Sequence, residues 1–272
     1  MATEISILNH LKDLKSTDKL PVLFIGHGSP MNAIEDNKYR KSWVDLGNQL
    51  PKPNAILSIS AHWITSGSTK VTVMEKPKTI HDFGGFPDEL FRQQYPALGS
   101  PALAKETIKM VSNPTIQPDM EWGLDHGTWS VLLPMYPNAD IPVYQLSIDY
   151  SKPMQYHYDL ALQLKALRNK GVLVMGSGNI VHNLGAMNYG NNVYDWALEF
   201  DTKIKKYIDS SNHEGVINFQ KLGTLAKMAH PSYDHFIPLI YTLALKDKNE
   251  EINYFNNSFD LGSISMRSIV IN

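Results

Sequence analysis

Residues 21–30 read Pro21-Val22-Leu23-Phe24-Ile25-Gly26-His27-Gly28-Ser29-Pro30: a β-rich apolar run that ends directly in a glycine-flanked histidine. The pattern recurs twice. Ile56-Leu57-Ser58-Ile59-Ser60 runs into Ala61-His62-Trp63, and Val172-Leu173-Val174-Met175 runs into Gly176-Ser177-Gly178-Asn179 and reaches His182. Short apolar runs of this kind alternate with longer segments of helical period, which predicts an α/β layer architecture with a largely parallel sheet. Strands are expected at 21–25, 55–60, 143–148, 172–175 and 264–271. Helices are expected at 100–111, with Ser100 as N-cap and Pro101 at the first position, and at 153–167, 194–208 and 233–245. Pro238 near the start of the last one costs little there.

The 272 residues carry 25 Lys+Arg against 27 Asp+Glu, with 43% hydrophobic and 19% charged residues. Such a chain can bury a large core, and its 17 Gly and 16 Pro are scattered, with no linker, repeat or low-complexity tract, so one domain over 1–272 is expected. A net charge of −2 offers no footprint for a polyphosphate backbone, so no nucleic-acid partner is expected. The absence of cysteine excludes disulfides, thiolate nucleophiles and Cys-ligated metal, leaving His, Asp and Glu as ligands. Residues 1–19 lack the apolar stretch of a signal peptide and no run of about 18 apolar residues occurs, so a cytoplasmic protein without membrane association is expected.

In open α/β sheets, ligands bind beyond the carboxyl ends of the strands. Three of the ten histidines follow buried-type strands, and neutral imidazoles from separate strand ends can converge on one metal ion. For each alone the alternative is a histidine hydrogen-bonded at a strand end, and no compact signature such as His-Glu-x-x-His occurs. In the loop Glu121-Trp122-Gly123-Leu124-Asp125-His126-Gly127-Thr128-Trp129, His126 reads either as a functional residue or as part of a structural turn. Ile80-His81-Asp82-Phe83-Gly84-Gly85-Phe86-Pro87 reads as a mobile loop with two aromatics able to close over a planar ligand, or as a surface loop pinned by Phe packing. His230-Pro231-Ser232-Tyr233-Asp234-His235 offers two histidines and an Asp, between which periodicity does not choose. His10, His157 and His213 lie in polar contexts and read as exposed. Two rival motifs fail: the third glycine of a dinucleotide loop starting at Gly176 is Val181, and neither Ser29 nor Ser177 sits in G-x-S-x-G.

Six motifs occur in order: Gly26-His27-Gly28-Ser29-Pro30-Met31, Ser60-Ala61-His62-Trp63, the 80–87 loop, Asp125-His126-Gly127, Gly178-Asn179-Ile180-Val181-His182-Asn183-Leu184 and Asp234-His235-Phe236-Ile237-Pro238-Leu239. Together they resemble the class III extradiol ring-cleaving dioxygenases (LigB-like), nearest the 4,5-DOPA dioxygenase-like branch. The resemblance implies a three-layer α/β/α fold with a mixed, largely parallel sheet, like the β subunit of protocatechuate 4,5-dioxygenase, over 20–272, with 1–19 as a helical or extended lead-in. It implies metal ligation by His27, His62 and His235, with His182 beside the metal as base or fourth ligand and His126 as a second active-site histidine. The wider superfamily uses a 2-His-1-carboxylate site for Fe(II), whereas the position matching its carboxylate here is His235, unless neighbouring Asp234 takes the role. Fe(II) is therefore expected for catalysis and Zn(II), which three imidazoles also suit, as the metal found in purified protein. The implied reaction is cleavage of a catechol, DOPA-like or another small one, by O2 to a muconic semialdehyde-type product. Trp63, Phe83, Phe86 and Trp129 are candidates to sandwich the ring, and a monomer or small homo-oligomer is expected. The alternatives are a zinc-binding relative without oxygenase activity and a tetrapyrrole metal chelatase.

Overall fold

A computed structural model describes residues 18–190 and 192–272, so the reading of His10 and nearly all of the expected lead-in lie outside the described residues. The central sheet contains β1 (Val22–Gly26), β2 (Ala55–Ser60), β3 (Val143–Gln145), β4 (Val172–Gly178), β5 (Ile252–Phe255) and β6 (Ser268–Ile271) in the order β5-β6-β1-β4-β2-β3. The four strands from β1 to β3 in that order run parallel, and β6 and β5 add antiparallel at one edge.

The apolar runs are continuous because both faces are covered. Val22, Phe24, Leu57, Val172 and Val174 enter one hydrophobic cluster, and Leu23, Ile25, Ile56, Leu173 and Met175 enter the other. Helices α1 (Lys38–Gln49) and α3 (His126–Met135) cover the second face through Trp43, Trp129 and Leu132. Helices α2 (Pro101–Met110), α4 (Met154–Leu162), α5 (Asp195–Asp209) and α6 (Ile237–Ala244) cover the first through Leu103, Leu160, Phe200 and Leu239. The three-layer α/β/α architecture is the one expected. No described helix is long and apolar enough to cross a membrane.

Several expected elements divide. After β3, Leu146 still bonds to Ser58, but Ser147 then bonds to Lys70 and Ile148–Asp149 pairs with Ile64–Thr65, so 143–148 is not one strand. Stretch 264–271 splits into Ile264–Ser265, paired with Phe259–Asp260, and β6, with the Met266 backbone between them pressed against Gly26. Helix α4 ends at Leu162, and a 3-10 turn over Lys165–Lys170 closes on Gly171 at φ 73. Helix α6 begins at Ile237, which leaves His235 in the preceding turn. Ser100 occupies the N-cap position of α2 without a side-chain cap bond.

His157 is fully buried, contrary to its polar sequence context: Nδ1 faces the Tyr241 hydroxyl at 3.1 Å, and burial lowers its pKa to about 4. His213 is half-buried against the Tyr158 hydroxyl.

Candidate metal centre

The sheet register brings the strand exits together. Gly26 lies opposite Gly178 and Ser60 opposite Ser177, so three neighbouring parallel strands release His27, Asn179 and Ala61-His62 side by side at their carboxyl ends. The fourth component comes from the turn before α6, where the His235 carbonyl accepts the Asn179 N–H at 2.9 Å. Gly178 permits this crossing, since a Cβ there would stand 2.2 Å from that carbonyl oxygen. Gly178→Ala is therefore expected to displace the His235 turn and cost about 1–3 kcal/mol, measured by denaturant unfolding, with weaker metal binding than wild type.

Imidazoles of His27, His62 and His235 form a triangle with centroid separations of 5.1, 5.3 and 4.9 Å, and their candidate ligand nitrogens lie within 4.8 Å of one another. The protons on two of them are assigned by their partners. Ser177 Oγ donates its single hydrogen to the Gly127 carbonyl at 2.5 Å, so at 3.0 Å from His27 Nδ1 it accepts, and His27 Nε2 carries the lone pair. His235 Nδ1 donates to the Asp234 carboxylate at 2.5 Å, which likewise frees Nε2. His27 and His235 are 1% and 5% exposed, and burial followed by neighbouring imidazoles holds both far below the ordinary histidine pKa. Burial brings His62 to about 3. Three neutral imidazoles result, the ligating form. His62 Nε2 stands 3.1 Å from His27 Nε2, close to the roughly 3.4 Å that separates tetrahedral ligands held about 2.1 Å from zinc. The donor set fits a divalent cation.

His182 lies face to face with His235, centroids 3.5 Å apart and planes 6° from parallel, and burial lowers its pKa to about 4. It sits outside the converging trio. His126 opens α3 behind its N-cap Asp125, and its ring lies 3.8 Å from that of His62. Of the paired candidates in 230–235, His230 instead bonds to the Ile180 carbonyl at 2.7 Å among Phe200, Phe219 and Phe236.

The four aromatics divide. Phe83 packs edge-on against His126 at 5.5 Å and against Phe86 at 5.4 Å. Trp129 is buried beneath that loop with Nε1 donating to the Ile80 carbonyl, and Trp63 is stacked on Trp122. Ser177 and Asp82, which touch ring nitrogens of His27 and His62, carry no signal of that role in the sequence, because their contacts join residues 150 and 20 positions apart, whereas Asp234 stands next to its partner His235.

Fold and site define an α/β protein with a histidine-built centre, fit for a divalent cation, at the carboxyl edge of its sheet. Residues 21–265 match the family described as the catalytic LigB subunit of aromatic ring-opening dioxygenase, and the chain belongs to that family, an oxidoreductase of the extradiol ring-cleaving class. It is 44% identical to a 4,5-DOPA dioxygenase extradiol of Escherichia coli strain K12, over 96% of this chain and 98% of that protein. It is 37% identical to a protein of the same name from Beta vulgaris, over 90% of this chain and 94% of the relative. A crystal structure of an uncharacterized protein from Escherichia coli K12 superposes with a TM-score of 0.81 at 39% identity, covering 93% of this chain and 100% of the other.

Proposed function

We propose that the chain is a metal-dependent extradiol dioxygenase that opens a small catechol, DOPA or a close analogue, with O2 to a muconic semialdehyde-type product carrying both oxygen atoms. The observation that carries this reading is the convergence of His27, His62 and His235 as neutral imidazoles, with Nε2 of His27 and His235 left free by Ser177 and Asp234. The names of the relatives support the DOPA-like substrate.

These three histidines would hold Fe(II) for catalysis, and the same donors would take Zn(II) during purification. Iron, when bound, supplies open positions for both catechol oxygens and for O2 and a path for electrons between them. His182, neutral and stacked on His235, takes the catechol proton, while His126 offers a hydrogen bond from beside His62. Phe83, edge-on to His126, closes over the substrate ring. We further read the enzyme as one catalytic domain, cytoplasmic, acting as a monomer or small homo-oligomer.

The test is oxygen uptake with visible absorbance after metal removal and anaerobic reloading. Oxygen consumption with a yellow product from L-DOPA or a simple catechol in the iron form alone is expected. No consumption despite confirmed iron occupancy would overturn the proposal in favour of a zinc-binding relative. His27→Ala, His62→Ala and His235→Ala are each expected to lose stoichiometric metal, and full retention at wild-type affinity sinks the ligand assignment.

A further inference from the structure

Asp82 lies on the 80–87 loop, yet its carboxylate reaches two site histidines at once. Oδ2 is 3.3 Å from His62 Nδ1 and 3.0 Å from His126 Nδ1, and Oδ1 accepts the His126 backbone N–H at 2.9 Å. The loop is held on both sides of this residue. Ile80 donates to the Leu124 carbonyl at 2.8 Å and accepts from Trp129 Nε1 at 2.8 Å, and Phe83 packs on His126 and Trp129.

The 3.1 Å contact between His62 Nε2 and His27 Nε2 permits two proton arrangements. In one, His62 carries its proton on Nε2 and donates it to His27, which occupies the lone pair a cation would need. In the other, the proton is on Nδ1, and both Nε2 lone pairs face each other, an arrangement that repels until a cation lies between them. A carboxylate oxygen 3.3 Å from His62 Nδ1 attracts a proton at that nitrogen and repels a lone pair there, and so favours the second. The same oxygen faces His126 Nδ1, which is buried and has no hydrogen bond of good angle among the described residues.

We infer that Asp82 is a positioning residue whose one carboxylate keeps His62 in the metal-ready tautomer and holds the His126 ring against that of His62. The inference rests on the metal-centre reading above. It places the link between a loop that packs toward the substrate side and the ligand set in a single side chain.

The experiment titrates metal-free wild type, Asp82→Ala, Asp82→Asn, His126→Ala, His27→Ala and His235→Ala with Zn(II) against a chromogenic chelator. The Co(II) absorption spectrum and, for the iron-loaded proteins, kcat and KM are recorded alongside. Asp82→Ala is expected to weaken Zn(II) binding by about 10- to 100-fold and to change the Co(II) spectrum. His126→Ala is expected to bind Zn(II) within about threefold of wild type while losing about 100-fold in kcat, so that weakened metal binding separates the Asp82 variants from His126→Ala. Asp82→Asn keeps the shape of the side chain and gives the reading if the alanine variant does not fold. Its amide presents an N–H to one of the two imidazoles, so weakened binding is expected here too. Asp82 variants that fold, as judged by circular dichroism, and bind Zn(II) within threefold of wild type overturn the inference. A second equivalent of Zn(II) lost only in the Asp82 variants also overturns it, by making Asp82 a ligand. If His27→Ala and His235→Ala bind like wild type, the metal-centre reading itself has failed, which separates that failure from the failure of Asp82 alone.

Discussion

His182→Ala enzyme is expected to keep its metal and to lose at least ~100-fold in kcat on any catechol that the wild type cleaves, since a positioned general base contributes about 10²–10⁴-fold. The geometry separates the two effects. His182 lies flat on the His235 ring, while the nitrogens that converge belong to His27, His62 and His235. Its backbone is anchored independently of the imidazole, with the N–H bonded to the Ala229 carbonyl and a bridge to Ile264, so truncation leaves the chain in place. Metal content and single-turnover rates check this. Turnover within about threefold of wild type removes the base assignment, and loss of the metal makes His182 a fourth ligand.

Arg168→Met is expected to have the largest effect on stability, about 3–5 kcal/mol, with a fall in Tm on the order of 10 °C. Arg168 is 1% exposed, and its guanidinium donates to the Leu20 and Leu245 carbonyls at 2.7 and 2.9 Å and to both oxygens of Glu250. It thereby ties the lead into β1 to the end of α6. Methionine fills much of the volume but leaves two buried carbonyls without their donor and removes the guanidinium from a carboxylate that keeps only the Asp247 N–H and Lys19. Burial alone would raise the Glu250 pKa, but the Arg168 hydrogen bonds, the Asp247 N–H and Lys19 outweigh it and hold the carboxyl at about 2. A carboxyl depressed on folding stabilises fully above its unfolded pKa, near 4.5, and loses that contribution as pH falls toward 2. The gap between wild type and variant should therefore be widest near neutral pH and narrow below about pH 4.5, as read by denaturant unfolding across that range. A pH-independent gap would assign the loss to packing.

The strand ends were legible because a strand buried on both faces needs an uninterrupted apolar run, and a polar residue that terminates such a run marks the carboxyl edge of the sheet. His27 and His62 follow directly from that rule. His235 does not: it precedes a helix, beside His230 in the same short segment, and only the packing of His230 among three phenylalanines against the Ile180 carbonyl separates them. His157 misled because Gln155 and Asp159 near it in sequence are polar, while in the fold its ring is fully buried against Tyr241.

From the sequence alone came the layered α/β class, the exclusion of cysteine chemistry and the set of histidines at strand ends, all of them properties of local period and residue type. The resemblance of six ordered motifs added the family. Tertiary structure alone decided which ring nitrogen of His27 and His235 carries the proton, which histidine stacks rather than converges, and that one carboxylate of the 80–87 loop serves both His62 and His126. Apart from the Asp234–His235 pair, those facts depend on distances of a few ångströms between residues 20 to 150 positions apart, which only the sheet register and the closed packing of the strand ends establish.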